Sequence, residues 1–242
     1  IAYILCVLGY VAYGMIRGGD YARLLAEVTI LGQTSQTNIM LAISAVSAIL
    51  SFIWCGVLYI KSSWRSEHVD YGQVFSIKNV LCILCIGSGC CILLTFLLSL
   101  LTAVFPQAFQ NYTKLMSNFE SGNMILTLGY AVLIGPVSEE MIFRGAIFDR
   151  VYTVFPFWKA NIIQAVLFGV YHMNIVQGLY AFCLGMVLGI IVKATGSILC
   201  SMITHITFNG TSYLLPVILG TGAAWVNIIV LIIALFLIAA GI

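Results

Sequence analysis

Charged side chains are nearly missing from this sequence. Of 242 residues, 10 are basic and 8 acidic, 7% together, where a soluble domain carries about 25%. So few cannot cover the surface of a soluble fold this size. That excludes a soluble enzyme, a nucleic-acid binder, a disordered regulator and a secreted disulfide scaffold. Proline is scarce too, with four residues, and histidine scarcer, with three. The net charge of +2 is too small to argue for an acidic partner. What fills the chain is apolar: 62% hydrophobic residues, with a mean hydropathy of +1.11. The apolar runs are too long and unbroken for the alternating strands of a membrane β-barrel. The composition therefore predicts an all-α, polytopic helical membrane protein whose constant partner is membrane lipid.

A helix needs about 20 apolar residues to cross the hydrocarbon core. Eight stretches qualify, at roughly 1–17, 39–60, 80–104, 124–152, 160–174, 177–193, 197–214 and 223–242. The first is short, but it lacks the charged lead and small-residue cleavage site of a signal peptide and counts as a span. Little more than Asn174 to Gly178 separates the fifth from the sixth, which predicts a tight helical hairpin. The whole chain, 1–242, reads as a single transmembrane domain. Connecting segments, such as 17–38 and 61–79, hold most of the charge. With eight alternating spans, Lys61, Arg65, Lys78, Arg150, Lys159 and Lys193 fall on one side and Arg17, Arg23 and Lys114 on the other. The richer side is expected to be cytoplasmic, which places both termini there. The eight cysteines, Cys82 and Cys85 included, lie in apolar spans with no zinc-type partner nearby and read as small packing residues.

Ionisable groups at membrane depth are costly and therefore informative. The fourth span holds Ser138-Glu139-Glu140-Met141-Ile142-Phe143-Arg144. The fifth holds Phe168 and His172, the seventh His205 and Asn209. Glu140 and Arg144 stand at i and i+4 and can pair, leaving Glu139 about 100° around the helix for other work. His205 and Asn209 share the same spacing, and Phe168 lies one turn before His172. Counted from the cytoplasmic ends of their spans, Glu139, His172 and His205 lie roughly 20, 18 and 12 Å deep, so they can meet. Gly135-Pro136 is expected to kink the fourth helix beside Glu139. Taken singly, a Glu–Arg pair or a membrane histidine is accounted for by helix packing. Taken together, one Arg cannot neutralise two carboxylates, and the set points to a shared polar site.

A carboxylate and an imidazole can activate water, and a second imidazole with an amide can donate to a developing oxyanion. That suits amide hydrolysis without a covalent intermediate. Glu139, His172 and His205 could equally hold a divalent metal such as zinc, and the residues alone leave this open.

The three motifs resemble those of the CPBP family of intramembrane proteases, the CAAX prenyl endopeptidase and bacteriocin-processing group also called Abi. The family pattern of Glu-Glu-x-x-x-Arg, Phe-x-x-x-His and His-x-x-x-Asn is met by Glu139 to Arg144, Phe168 to His172 and His205 to Asn209, in order and on separate spans. Gly178 to Asn209, with Gly185 and Gly189, also reads like the family, and the family-like core lies at about 124–214. The resemblance implies an intramembrane endopeptidase. Glu139 and His172 would activate water, His205 and Asn209 would stabilise the oxyanion, and Glu140 and Arg144 would order the site or grip substrate, with Phe168 in support. It implies a membrane-associated, prenylated or leader-bearing peptide or lipidated protein as substrate, and a multi-pass protein of the bacterial plasma membrane. The alternatives are a non-proteolytic relative acting in bacteriocin immunity or binding, and a proton-coupled transporter.

Overall fold

The computed structural model describes residues 20–61, 71–219, 232–236 and 238–239. All regular structure among them is helical. The main elements are α1 (Tyr21–Ile60), α2 (Ile77–Thr102), α3 (Pro106–Glu120), α4 (Met124–Tyr152), α5 (Phe157–Tyr171), α6 (Ile175–Thr195) and α7 (Ile198–Leu219). Four stretches are long and apolar enough to cross a membrane: Thr34–Ile60, Ile77–Thr102, Met124–Tyr152 and Ile175–Thr195. The chain is thus a polytopic helical membrane protein. The expected first span lies outside the described residues, and so does most of the eighth.

Two elements depart from the expected layout. The connecting segment expected at 17–38 is helical from Tyr21 and runs unbroken into the next span. Between the third and fourth spans stands α3, which is not apolar enough to be a span. Phe109, Tyr112, Met116 and Phe119 mark one face of it, and Asn111, Lys114 and Asn118 lie off that face. Pro106 starts it without losing a hydrogen bond, since a first-turn N–H has no helical partner. The segment after it is tied to α1, where Asn38 Oδ1 accepts from Asn123 N at 2.6 Å.

The cationic end of the bundle is knitted by its own charges. Arg150 donates to the Leu58 carbonyl at 3.3 Å, and Lys193 Nζ donates to the Tyr152 hydroxyl at 2.8 Å. The ends of α1, α4 and α6 therefore meet on one side, as alternation of the spans requires, and α3 lies at the other. The core between α2, α6 and α7 is built from Cys90, Cys91, Leu184, Leu188 and Phe208. No disulfide joins the described cysteines, and Cys90, Cys91 and Cys200 are buried as packing groups.

α4 is not a uniform α-helix. Gly129–Ile134 and Met141–Phe148 widen into π-helix. Proline accounts for the first of these. Gly135 N donates five residues back, to Tyr130 O. The next carbonyl in that register, Ala131 O, would need the N–H of residue 136, and Pro136 has none.

α5 and α6 form the tight hairpin. α5 spans 15 residues, roughly 22 Å of rise against about 30 Å of hydrocarbon, so its turn lies at membrane depth. Backbone polar groups there must find protein partners. His172 caps α5, Met173 turns with a left-handed φ of 52°, and Asn174 Oδ1 accepts from Val176 N and Gln177 N. A Cβ on Gly169 would approach Gly178 O to 2.7 Å, so the backbones touch. We expect Gly169→Ala to force them apart and cost about 1–3 kcal/mol, read as a lowered melting temperature in detergent. Gly56→Ala, where nothing lies within 4 Å, is the matched control and should not destabilise.

Candidate active site

Three helices bring the motif residues to one place. Glu139, His172, His205 and Asn209 all line a single cavity of about 730 Å³. α4 supplies Glu139, the end of α5 supplies His172, and α7 supplies His205 and Asn209. The placement of His172 refines the expectation from sequence. It is the residue that ends a short helix, rather than one inside a full span.

Behind the cavity wall lies a buried charge network. Arg144 Nη1 donates to Glu140 Oε1 at 2.8 Å, and both side chains are fully buried. His205 Nδ1 lies 2.9 Å from the same oxygen. The other ring nitrogen, Nε2, stands 3.7 Å from Glu139 Oε2, and Glu139 is 16% exposed to the cavity. The two neighbouring carboxylates thus have separate surroundings: Glu140 is sealed against Arg144, and Glu139 faces open space.

Both imidazoles are oriented through Nδ1. His172 Nδ1 is 2.9 Å from the Phe168 carbonyl. A carbonyl only accepts, so Nδ1 is the donor there. His205 Nδ1 faces a carboxylate oxygen and is the donor there by the same reasoning. Phe168 spaces the two rings. It packs edge-on against His172 at 5.0 Å and His205 at 5.6 Å, while the Arg144 guanidinium sits 4.7 Å from its centroid.

Asn209 Nδ2 donates to Ala131 O at 2.8 Å. That is the carbonyl which Pro136 leaves without a helical donor. The Gly135-Pro136 step therefore widens α4 at the site, and an amide from α7 fills the gap.

Sequence reading passed over two residues of the network. Gln164 Nε2 donates to Gly185 O at 2.8 Å and Asn161 Oδ1 at 2.7 Å. Asn161 Nδ2 donates to Met186 O at 3.0 Å. Arg144 Nη2 shares Gly185 O at 3.2 Å. The available signal was a pair of amides three residues apart in an otherwise apolar helix, each fully buried. The same contacts explain Gly185-x-x-x-Gly189. A Cβ on Gly185 would crowd Ala165 at 3.1 Å, and one on Gly189 would run into the Asn161 amide.

A divalent metal is the other use of two imidazoles and a carboxylate. Among the described residues no three His, Cys, Asp or Glu side chains come together as such a ligand set. Among the described residues the donors do not fit a metal.

Removing Glu140 strands a buried guanidinium. Glu140→Ala should therefore cost about 3–5 kcal/mol. Glu139→Ala removes a cavity-facing group and should stay within about 0.5 kcal/mol of the parent. Thermal unfolding in detergent separates the two. Equal losses would mean that the carboxylates are interchangeable parts of one packing motif.

Comparison with known proteins bears on the same region. Residues 121–211 match the family model described as Type II CAAX prenyl endopeptidase Rce1-like. This stretch runs from the end of α3 to just beyond Asn209 and contains every motif residue above. A protein of Bacillus subtilis (strain 168), "Putative membrane peptidase YdiL", is 28% identical over 189 residues, which is 74% of this chain and 74% of that protein. No solved structure matches the chain. With the motifs, these similarities support a CPBP family protease, a peptide hydrolase seated in the membrane.

Proposed function

We propose that the cavity between α4, α5 and α7 is the active site of an intramembrane endopeptidase that attacks a peptide bond with activated water. The catalytic core is residues 124–214 of one transmembrane domain. The observation that carries this reading is the unequal treatment of Glu139 and Glu140: one carboxylate is locked to Arg144, and its neighbour is left facing the cavity beside two oriented imidazoles.

The roles follow from the atoms. Water sits between Glu139 and the Nε2 lone pair of His172. Glu139 takes a proton from it, and the hydroxide adds to the substrate carbonyl carbon. The oxyanion is met by the His205 ring, which Glu140 holds in place through Nδ1. Asn209 becomes a second donor once its amide leaves Ala131 O. The proton held on Glu139 passes to the departing amine, the C–N bond breaks, and Glu139 is again a carboxylate. Such a site works because its dipoles are fixed before the charge develops, in surroundings with little water to compete. Glu140, Arg144 and Phe168 fix it, while Gln164 and Asn161 brace Arg144 from behind.

The substrate is a membrane-associated peptide, prenylated or leader-bearing. The end holding Lys61, Arg150 and Lys193 is the cytoplasmic one in a bacterial plasma membrane.

Purified protein in lipid, given a membrane-embedded reporter peptide, should release product. Glu139→Gln and His172→Ala should each lower kcat by at least about 100-fold, the lower end of what a positioned acid or base contributes, with unchanged melting temperature. Full cleavage by either variant would overturn the assignment. Product formation should also survive a strong chelator.

A further inference from the structure

Among the described residues that line the cavity, the Asp, Glu, Lys and Arg side chains are carboxylates only. Among the described lining residues there are two carboxylates, Glu139 on the floor and Glu120 at the mouth, and no lysine or arginine. Arg144 is close but shut away, with 1% of its surface exposed and its guanidinium committed to Glu140, Gly185 O and the Phe168 face. Lys114 belongs to α3 as well, but it lines a separate depression on that helix. The cavity walls between mouth and floor are aromatic and hydroxylic, with Tyr112, Tyr180 and Tyr213 among them.

Glu120 has no helical reason to be where it is. It is the last residue of α3, where the carbonyl end of a helix disfavours an anion and prefers a cation. Its surroundings at the mouth are Tyr112 and Tyr213, the residues its charge acts on. No ion pair offsets it among the described residues.

A substrate carboxylate drawn into this space would lose water and meet like charge with no cation to receive it, which is unfavourable on both counts. A lysine or arginine side chain would meet Glu120 at the entrance. We propose that the cavity selects apolar peptide segments free of acidic residues, and that Glu120 is the specificity-determining residue that favours a basic side chain beside the segment. This rests on the endopeptidase reading for its meaning, but it is tested by binding.

The probes are three dansyl-labelled peptides with one fixed leucine- and alanine-rich segment and Lys, Gln or Glu beside it. Binding is measured in micelles to the His172→Ala protein, which keeps both carboxylates. Affinity should fall from Lys to Gln to Glu by about threefold to fivefold per step, the scale of a largely exposed charge pair, and the spread should shrink at high salt. Glu120→Gln should narrow the Lys-to-Glu ratio, and Glu120→Lys should bring it to one or reverse it. The lysine variant suits a helix C-terminus, so the fold is expected to hold, and the glutamine variant tests the same point without added charge. Equal affinities for the three peptides, no binding of any, or an unchanged ratio in both Glu120 variants would overturn the proposal. The ordered affinities without cleavage by the parent protein would sink the endopeptidase reading alone. Cleavage without the order would sink this inference alone.

Discussion

The architecture of the site depends on one buried ion pair. Glu140 and Arg144 sit one turn apart on α4, both removed from solvent. Desolvating two charges is costly, and their mutual attraction recovers that cost only if the remaining donors and acceptors are also met. The surrounding fold meets most of them, leaving Glu140 Oε2 and Arg144 Nε without a hydrogen-bond partner among the described residues. Glu140 Oε1 receives both Arg144 and His205, Arg144 reaches Gly185 O on α6, and the Phe168 face covers the guanidinium. Satisfying one pair thus ties α4 to α5, α6 and α7. The helices that carry Glu139, His172 and His205 are held in register by the same bonds, so placement of the cavity-facing groups is a by-product of satisfying the pair behind them.

Much of this could be read from the sequence, and the physical reason is scarcity. In a chain with so few charges, an acidic pair and two histidines inside apolar stretches have few innocuous explanations, and their helical spacing separated Glu140, which pairs with Arg144, from Glu139, which faces the cavity. Long apolar runs likewise located the four membrane-length helices found among the described residues, with 124–152 coinciding with α4 to the residue. What spacing could not convey is which carbonyl or amide lies opposite. Asn161 and Gln164 are uncharged, so a search for expensive ions passes over them, yet Gln164 shares the Gly185 carbonyl with Arg144 and Asn161 holds Gln164. α3 escaped because its apolar face repeats at helical spacing within a polar segment too weakly hydrophobic to register as a span. The helical start at Tyr21 was hidden by charge, since Arg23 and Glu27 read as a connecting segment.

The proline step shows how a local defect becomes a tertiary contact. Pro136 removes a backbone donor from the middle of a membrane helix, where an unmatched carbonyl is costly. α4 responds by widening, and Asn209 from α7 supplies the missing donor to Ala131 O. Glu139 lies in the turn just beyond. The third motif is therefore joined to the first through backbone as well as through His205 and Glu140.

The two histidines are set by the same device applied twice. Each gives Nδ1 to an oxygen that accepts, a backbone carbonyl for His172 and a carboxylate for His205. The partners differ in where they come from. The carbonyl that holds His172 belongs to its own helix, whereas the carboxylate that holds His205 belongs to α4, so the second bond also joins two helices. The Phe168 ring packs edge-on against both imidazoles and keeps them apart. The short α5, which stops at membrane depth and ends in His172, is what allows a polar pair of this kind to exist inside an apolar bundle.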